Sequence, residues 1–96
     1  MRIIKPSVLR RFYAKHKDAE GPLRAFVRIT KHARWHSTAE VKQVFGSADY
    51  VGDRIVIDIG GNTYRLVIVV RCRIKTVFIR FVGTHDEHDR IDVKAV

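Results

Sequence analysis

The apolar residues of this 96-residue chain change their period at about Asp49. Before that point they recur every three or four residues, as on one face of a helix; after it they alternate, as on one face of a strand. A chain patterned this way folds as helices followed by a meander of strands, which is an α+β arrangement rather than an alternating α/β one. In the first half, Pro6 sits at an expected first helical turn and Leu9, Phe12, Tyr13 and His16 share one stripe. Gly21-Pro22 predicts a break, after which Leu23, Phe26, Val27 and Thr30 restart the period as far as about Arg34. Ser37-Thr38-Ala39-Glu40 has the form of a capping box, opening a brief helix through Val41, Val44 and Phe45 that Gly46 stops. Trp35, just ahead of it, is expected to pack.

Arg2-Ile3-Ile4 reads as a short first strand. In the second half, Gly52-Asp53 predicts a hairpin, and the strand after it places Ile55, Ile57 and Ile59 on one face. Gly60-Gly61-Asn62 turns the chain again. Residues 63–70 and 76–82 are the remaining strands, and residues 71–75 connect them. Alternation puts Tyr64, Leu66, Ile68 and Val70 on one face with Val77, Ile79 and Phe81, toward the helices; Arg65 and Arg80 then project from the opposite face. Thr84-x-x-Glu87 is a second capping box, starting a short last helix. The expected architecture is an N-terminal strand and two or three helices on one face of an antiparallel sheet, closed by a short C-terminal helix. Residues 1–96 are expected to form one domain.

Composition narrows the function. With 46% hydrophobic residues the chain can bury one modest core. Its net charge is +9, and residues 1–48 carry eleven Lys/Arg against three Asp/Glu, while residues 49–96 carry eight against seven. The excess therefore belongs to the helical half and suits a nucleic acid or an acidic protein, or forms solvated helix faces. One cysteine, Cys72, excludes an internal disulfide framework and a cysteine-rich zinc module, and fits a reducing cytoplasm. The first residues, Met1 to Pro6, are charged too early for a secretory signal, and no apolar run approaches the roughly 20 residues a membrane span needs.

The chemistry-bearing residues collect late in the chain. Arg65 and Arg80 could hold an anion from one sheet face, with Asp58 as a candidate ion-pair partner. His85 and His88, three residues apart on the last helix, bring two imidazoles to that neighbourhood. Together these four offer cations for an anionic group and two imidazoles able to take and give protons near neutral pH. Asn62 either positions a ribose or satisfies its own turn. Arg71, Arg73 and Lys75 are further candidates for contact with RNA. His85, His88 and Asp89 do not form an established zinc spacing, so neither a metal nor another cofactor is expected. His16, His32 and His36 read as packing or surface residues.

Gly60-Gly61-Asn62-Thr63-Tyr64-Arg65-Leu66, Phe78-Ile79-Arg80-Phe81-Val82-Gly83-Thr84-His85 and the Asp89-Arg90-Ile91 ending together resemble the HigB toxins of bacterial type II toxin-antitoxin modules, within the RelE-like superfamily. Pro6, residues 35–45 and Ala48-Asp49-Tyr50-Val51 extend the resemblance over nearly the whole chain. It implies a RelE-like fold and a cytoplasmic bacterial endoribonuclease, an mRNA interferase. Its substrate would be messenger RNA, cut in many members in the ribosomal A site. Its partner would be a HigA-type helix-turn-helix antitoxin, with no membrane involved. Where the family pattern reads Thr-His-x-Glu-Tyr-Asp, this chain has His88 in place of the tyrosine. That substitution opens a second reading, a catalytically silent RNA-binding or antitoxin-binding module of the same fold.

Overall fold

The computed structural model describes residues 1–61 and 63–96; Asn62 lies outside them. Among the described residues five strands form one sheet: β1 (Arg2–Ile4), β2 (Asp49–Val51), β3 (Arg54–Ile59), β4 (Tyr64–Arg71) and β5 (Thr76–Thr84), in the order β1-β5-β4-β3-β2. The helices are α1 (Ser7–Lys15), α2 (Glu20–His32), α3 (Ala39–Val44) and α4 (His85–Asp89). None is long and apolar enough to cross a bilayer. The α+β layering matches the expectation, with one refinement. Helices α1–α3 and strands β2–β4 intervene between β1 and β5, and that long crossover lets the two strands pair in parallel, so the sheet is mixed.

Leu9, Leu23, Phe26 and Val41 from α1, α2 and α3 pack on Ile55, Ile57, Leu66, Ile68 and Val77 of the sheet. Phe26 lies 5.4 Å from Phe45, which meets Trp35 at 6.3 Å between ring centroids, so the predicted packing role of Trp35 holds. Two local readings need correcting. The break between α1 and α2 falls at His16, not at Gly21-Pro22. Pro22 sits inside the first turn of α2, where a backbone N–H has no intrahelical acceptor and its loss costs little. At α3 only half of the box forms: the Glu40 carboxylate accepts from the His36 and Ser37 backbone N–H groups, without a reciprocal side-chain cap. Those two donors hold the Glu40 carboxyl below its ordinary range.

A bulge in β5 changes which side chains share a face. Val67 pairs with Phe81 but Ile68 pairs with Ile79, so Arg80 is the extra residue. Before it Val77 and Ile79 face the helices, as alternation predicts. After it the phase inverts: Val82 joins the helix-side core and Phe81 moves to the other face, opposite Val67. Phe81 therefore belongs to the Arg65 face, contrary to the uninterrupted alternation. There it helps bury Val67 and Val69, both fully inaccessible. Gly83, the register partner of Arg65, makes room for this ring. A Cβ on residue 83 would lie 2.6 Å from Phe81 Cζ and 3.1 Å from Glu87 Oε1. Gly83→Ala should accordingly destabilise the protein by about 1–3 kcal/mol in urea unfolding, and adding Phe81→Leu should recover part of that loss in a double-mutant cycle.

Candidate active site

The end of β5 and the start of α4 form a rigid corner. Thr84 has extended backbone angles that end the strand. Its Oγ1 accepts from the Glu87 N–H at 3.2 Å, and Glu87 Oε1 accepts from the Thr84 N–H at 2.8 Å. This complete capping box, anticipated from Thr84-x-x-Glu87, satisfies two N-terminal donors of a one-turn helix and so fixes where its histidines start. The Thr84 N–H is also the main reason the Glu87 carboxyl is held below its ordinary value, with a smaller contribution from the nearby His16. His16 is itself stacked on Phe12 at 4.3 Å and edge-on to Tyr64 at 5.5 Å. The Tyr64 hydroxyl donates to Asp18, which raises its pKa and ties the α1–α2 connection to the start of β4.

Arg65 and His88 line one cleft of about 290 Å³ on the sheet face away from the helices. Arg65 Nη1 donates to Asp58, its register partner on β3, and its side chain is only 15% exposed. A guanidinium so held keeps its plane and direction, as bidentate recognition of a phosphate requires. Across the cleft, the His88 side chain is 18% exposed, its ring centroid 6.5 Å from that of Phe81. Among the described residues neither ring nitrogen of His88 has a hydrogen-bond partner, since Asp89 Oδ1 stands 3.8 Å from Nδ1. A buried polar atom left without a partner costs about 1–3 kcal/mol.

The other expected residues distribute less tightly. His85 is 45% exposed, and its Nδ1 lies 3.2 Å from Asp89 Oδ2, so one carboxylate stands beside both imidazoles. Arg80 is exposed at the bulge, its guanidinium 5.5 Å over the Phe78 ring. Register places it one strand over from Arg65, between the Val67–Phe81 and Ile68–Ile79 pairs. Arg71, Arg73 and Lys75 stand at the far end of the same strand pair. The Tyr64–Thr84 and Arg71–Thr76 pairs are seven register steps apart, roughly 23 Å at 3.3 Å per residue. Arg71 there pairs with Asp53 at 3.0 Å, and its N–H joins that of Arg54 in holding the Asp53 carboxyl below its ordinary range. Asn62 lies outside the described residues.

Sequence reasoning did not single out Val93 in the cleft wall or Phe78 beneath Arg80. Phe78-x-Arg80 carries the i, i+2 spacing that would have signalled the second; nothing local signals Val93, which folds back across the sheet. His85, Asp86 and Asp89 offer potential ligand atoms within 4.8 Å of one another, all on one exposed turn. The arrangement at Arg65 and His88, in contrast, combines a fixed cation with a proton-exchanging ring, which suits an anionic ester better than a metal.

Comparison with known proteins identifies the family. The family described as the RelE-like toxic component of a toxin-antitoxin system, HigB_toxin, matches residues 19–91. A protein of Escherichia coli O6:H1 named "mRNA interferase HigB" is 23% identical over 94 residues, covering 95% of this chain and 91% of that relative.

The capping box also carries a pH dependence. The Glu87 carboxyl titrates below its ordinary 4.5. Its stabilisation is complete above that unfolded value and is lost as pH falls through the depressed folded value. The Thr84 amide should therefore lose protection from hydrogen exchange in acid below 4.5. Glu87→Gln, which keeps the acceptor but does not titrate, should remove this dependence.

Proposed function

The chain belongs to the HigB toxin family, the RelE-like toxic component of a toxin-antitoxin system, and from that premise we propose how it acts. It is an endoribonuclease that cleaves messenger RNA by metal-independent attack of a 2′-hydroxyl on the adjacent phosphorus. The name of the Escherichia coli relative, an mRNA interferase, supports this substrate. Residues 1–96 act as one toxin domain in the bacterial cytoplasm. The protein works on messenger RNA engaged by the ribosome, in the 30S A site, and is neutralised by a HigA-type helix-turn-helix antitoxin.

The observation that carries the proposal is the shared cleft of Arg65 and His88. Arg65, held by Asp58, and Arg80, from the bulge, neutralise the scissile phosphate and the charge that grows on its oxygens. One imidazole at the α4 corner takes the 2′-hydroxyl proton as the new P–O2′ bond forms. The other gives a proton to the 5′-oxygen as the P–O5′ bond breaks. The products are a 2′,3′-cyclic phosphate and a 5′-hydroxyl. Asp89 holds the His85 ring in orientation, its Oδ2 3.2 Å from Nδ1. Asn62, Arg71, Arg73 and Lys75 contact the RNA on either side.

Replacing both His85 and His88 with alanine should lower cleavage of a defined messenger RNA by about 10²–10⁴-fold. Affinity for the same RNA carrying 2′-O-methyl groups should change little. Arg65→Ala should lower both. Mass spectrometry of the fragments should find 5′-hydroxyl ends; 5′-phosphate ends, or full activity in the double histidine variant, would sink this mechanism. An unmodified protein that cuts nothing, with or without ribosomes, would favour the silent binding module.

A further inference from the structure

A second cleft, of about 730 Å³, lies where the end of α2 meets the turn after β4. Lys31, His32, Arg34, His36 and Lys75 line it, and all five are exposed. Among the described residues no carboxylate does, and nearby Glu40 is engaged by the His36 and Ser37 backbone N–H groups. A helix C-terminus normally presents bare carbonyls that repel anions. Here the Met1 nitrogen donates to the Lys31 and Ala33 carbonyl oxygens at 3.2 and 2.9 Å, and the Arg28 carbonyl lies 2.9 Å from His32 Nδ1. The repulsive end of α2 is thereby covered.

Lys75 supplies an independent sign. It sits in the left-handed backbone region, φ 53° and ψ 44°, at the end of the Cys72–Ile74 turn. Glycine or asparagine would occupy that conformation with less strain. Lys75 nevertheless takes it, as Lys5 does at φ 64°, and the turn sets its cation on the cleft.

We propose that this cleft binds the phosphate backbone of RNA at a point remote from the cleaved bond. The inference rests on the ribonuclease reading and extends it to Lys31, Arg34 and His36. Register separates the two ends of the β4–β5 pair by seven steps, roughly 23 Å. The first cleft opens on the sheet face away from the helices and this one beside the end of α2, so a strand must also pass around the sheet, a path longer than the roughly seven nucleotides, at about 3.4 Å each, that this end-to-end distance alone would take. A long RNA therefore reaches both clefts and a trinucleotide only one. The lining favours RNA over a protein partner, because it is cationic and Trp35, its one aromatic residue, is almost wholly buried, leaving only the half-buried Met1, Ala33 and Cys72 as apolar contacts.

The test compares a trinucleotide with a single strand of about 15 nucleotides, both 2′-O-methylated so that neither is cut, across a salt series. In the full chain, Lys31→Ser with Arg34→Ser should weaken the longer strand, reducing the slope of log affinity against log salt by about 1.4, at about 0.7 per lost phosphate contact. Trinucleotide affinity and cleavage of a short unmodified substrate should stay at wild-type levels. Lys75→Gly should weaken the longer strand while leaving the thermal midpoint unchanged or raised, which a purely structural lysine would not do. Equal affinity of wild type and variants for the longer strand overturns the proposal; if antitoxin binding weakens instead, the surface belongs to that protein. Absence of cleavage by the wild type would overturn the ribonuclease reading and leave the binding comparison standing.

Discussion

Strand β4 is buried on both faces, and the rest of the structure answers to that constraint. Leu66 and Ile68 are fully covered on one side and Val67 and Val69 on the other. An antiparallel sheet commonly leaves one face to water; this one cannot. The helices cover the first face. On the second, Phe81 stands opposite Val67, Val56 is buried beside it, and α4 and Val93 close the edge. Arg65 projects into this half-covered surface, so its charge lies in a partly dry setting with Asp58 as a neighbour. Coulombic attraction to a phosphate is stronger there than on an open strand.

Such a face could not be assembled by alternation alone. Without the Arg80 bulge, Phe81 would point into the helix layer and Val82 out of it, and the cleft would lose the ring that stands against His88. The same extra residue turns Arg80 outward over Phe78. One inserted position thus sets the second core, the aromatic neighbour of His88 and the direction of an arginine. Gly83 follows as a requirement, since the relocated Phe81 ring occupies the space of a side chain there.

What could be read from the chain divides along local and non-local lines. The change of period, the hairpin at Gly52-Asp53, the isoleucine face of β3 and the Thr84–Glu87 box depend on residues within a few positions of one another, and all appear where the pattern puts them. The break at His16 escaped because proline is tolerated in a first helical turn and so mimics a stop. The bulge escaped because Val77 to Val82 is apolar on both sides of Arg80, leaving alternation no polar residue to reveal the phase change. Arg65 with His88 was legible as a pair of residue types on neighbouring elements. That they share a cleft, with Val93 as its wall, depended on how the last residues fold back across the sheet.

The uneven charge of the sequence now has a physical meaning. In the C-terminal half, Arg54 and Arg71 share Asp53, and Arg65 holds Asp58, so cations and carboxylates of adjacent strands largely cancel. In the N-terminal half most cations lie on exposed helix positions, with Arg24 and Glu20 the ion pair formed within α2. The long-range field of the toxin thus arises from its helices, while Arg65 is held in a neutralised, oriented pair on the sheet. Attraction of a polyanion and reaction with it place opposite demands on an arginine, one for exposure and mobility, the other for fixed direction in a low dielectric. Separating them onto two layers lets the helix surface vary in charge without disturbing the geometry around Arg65.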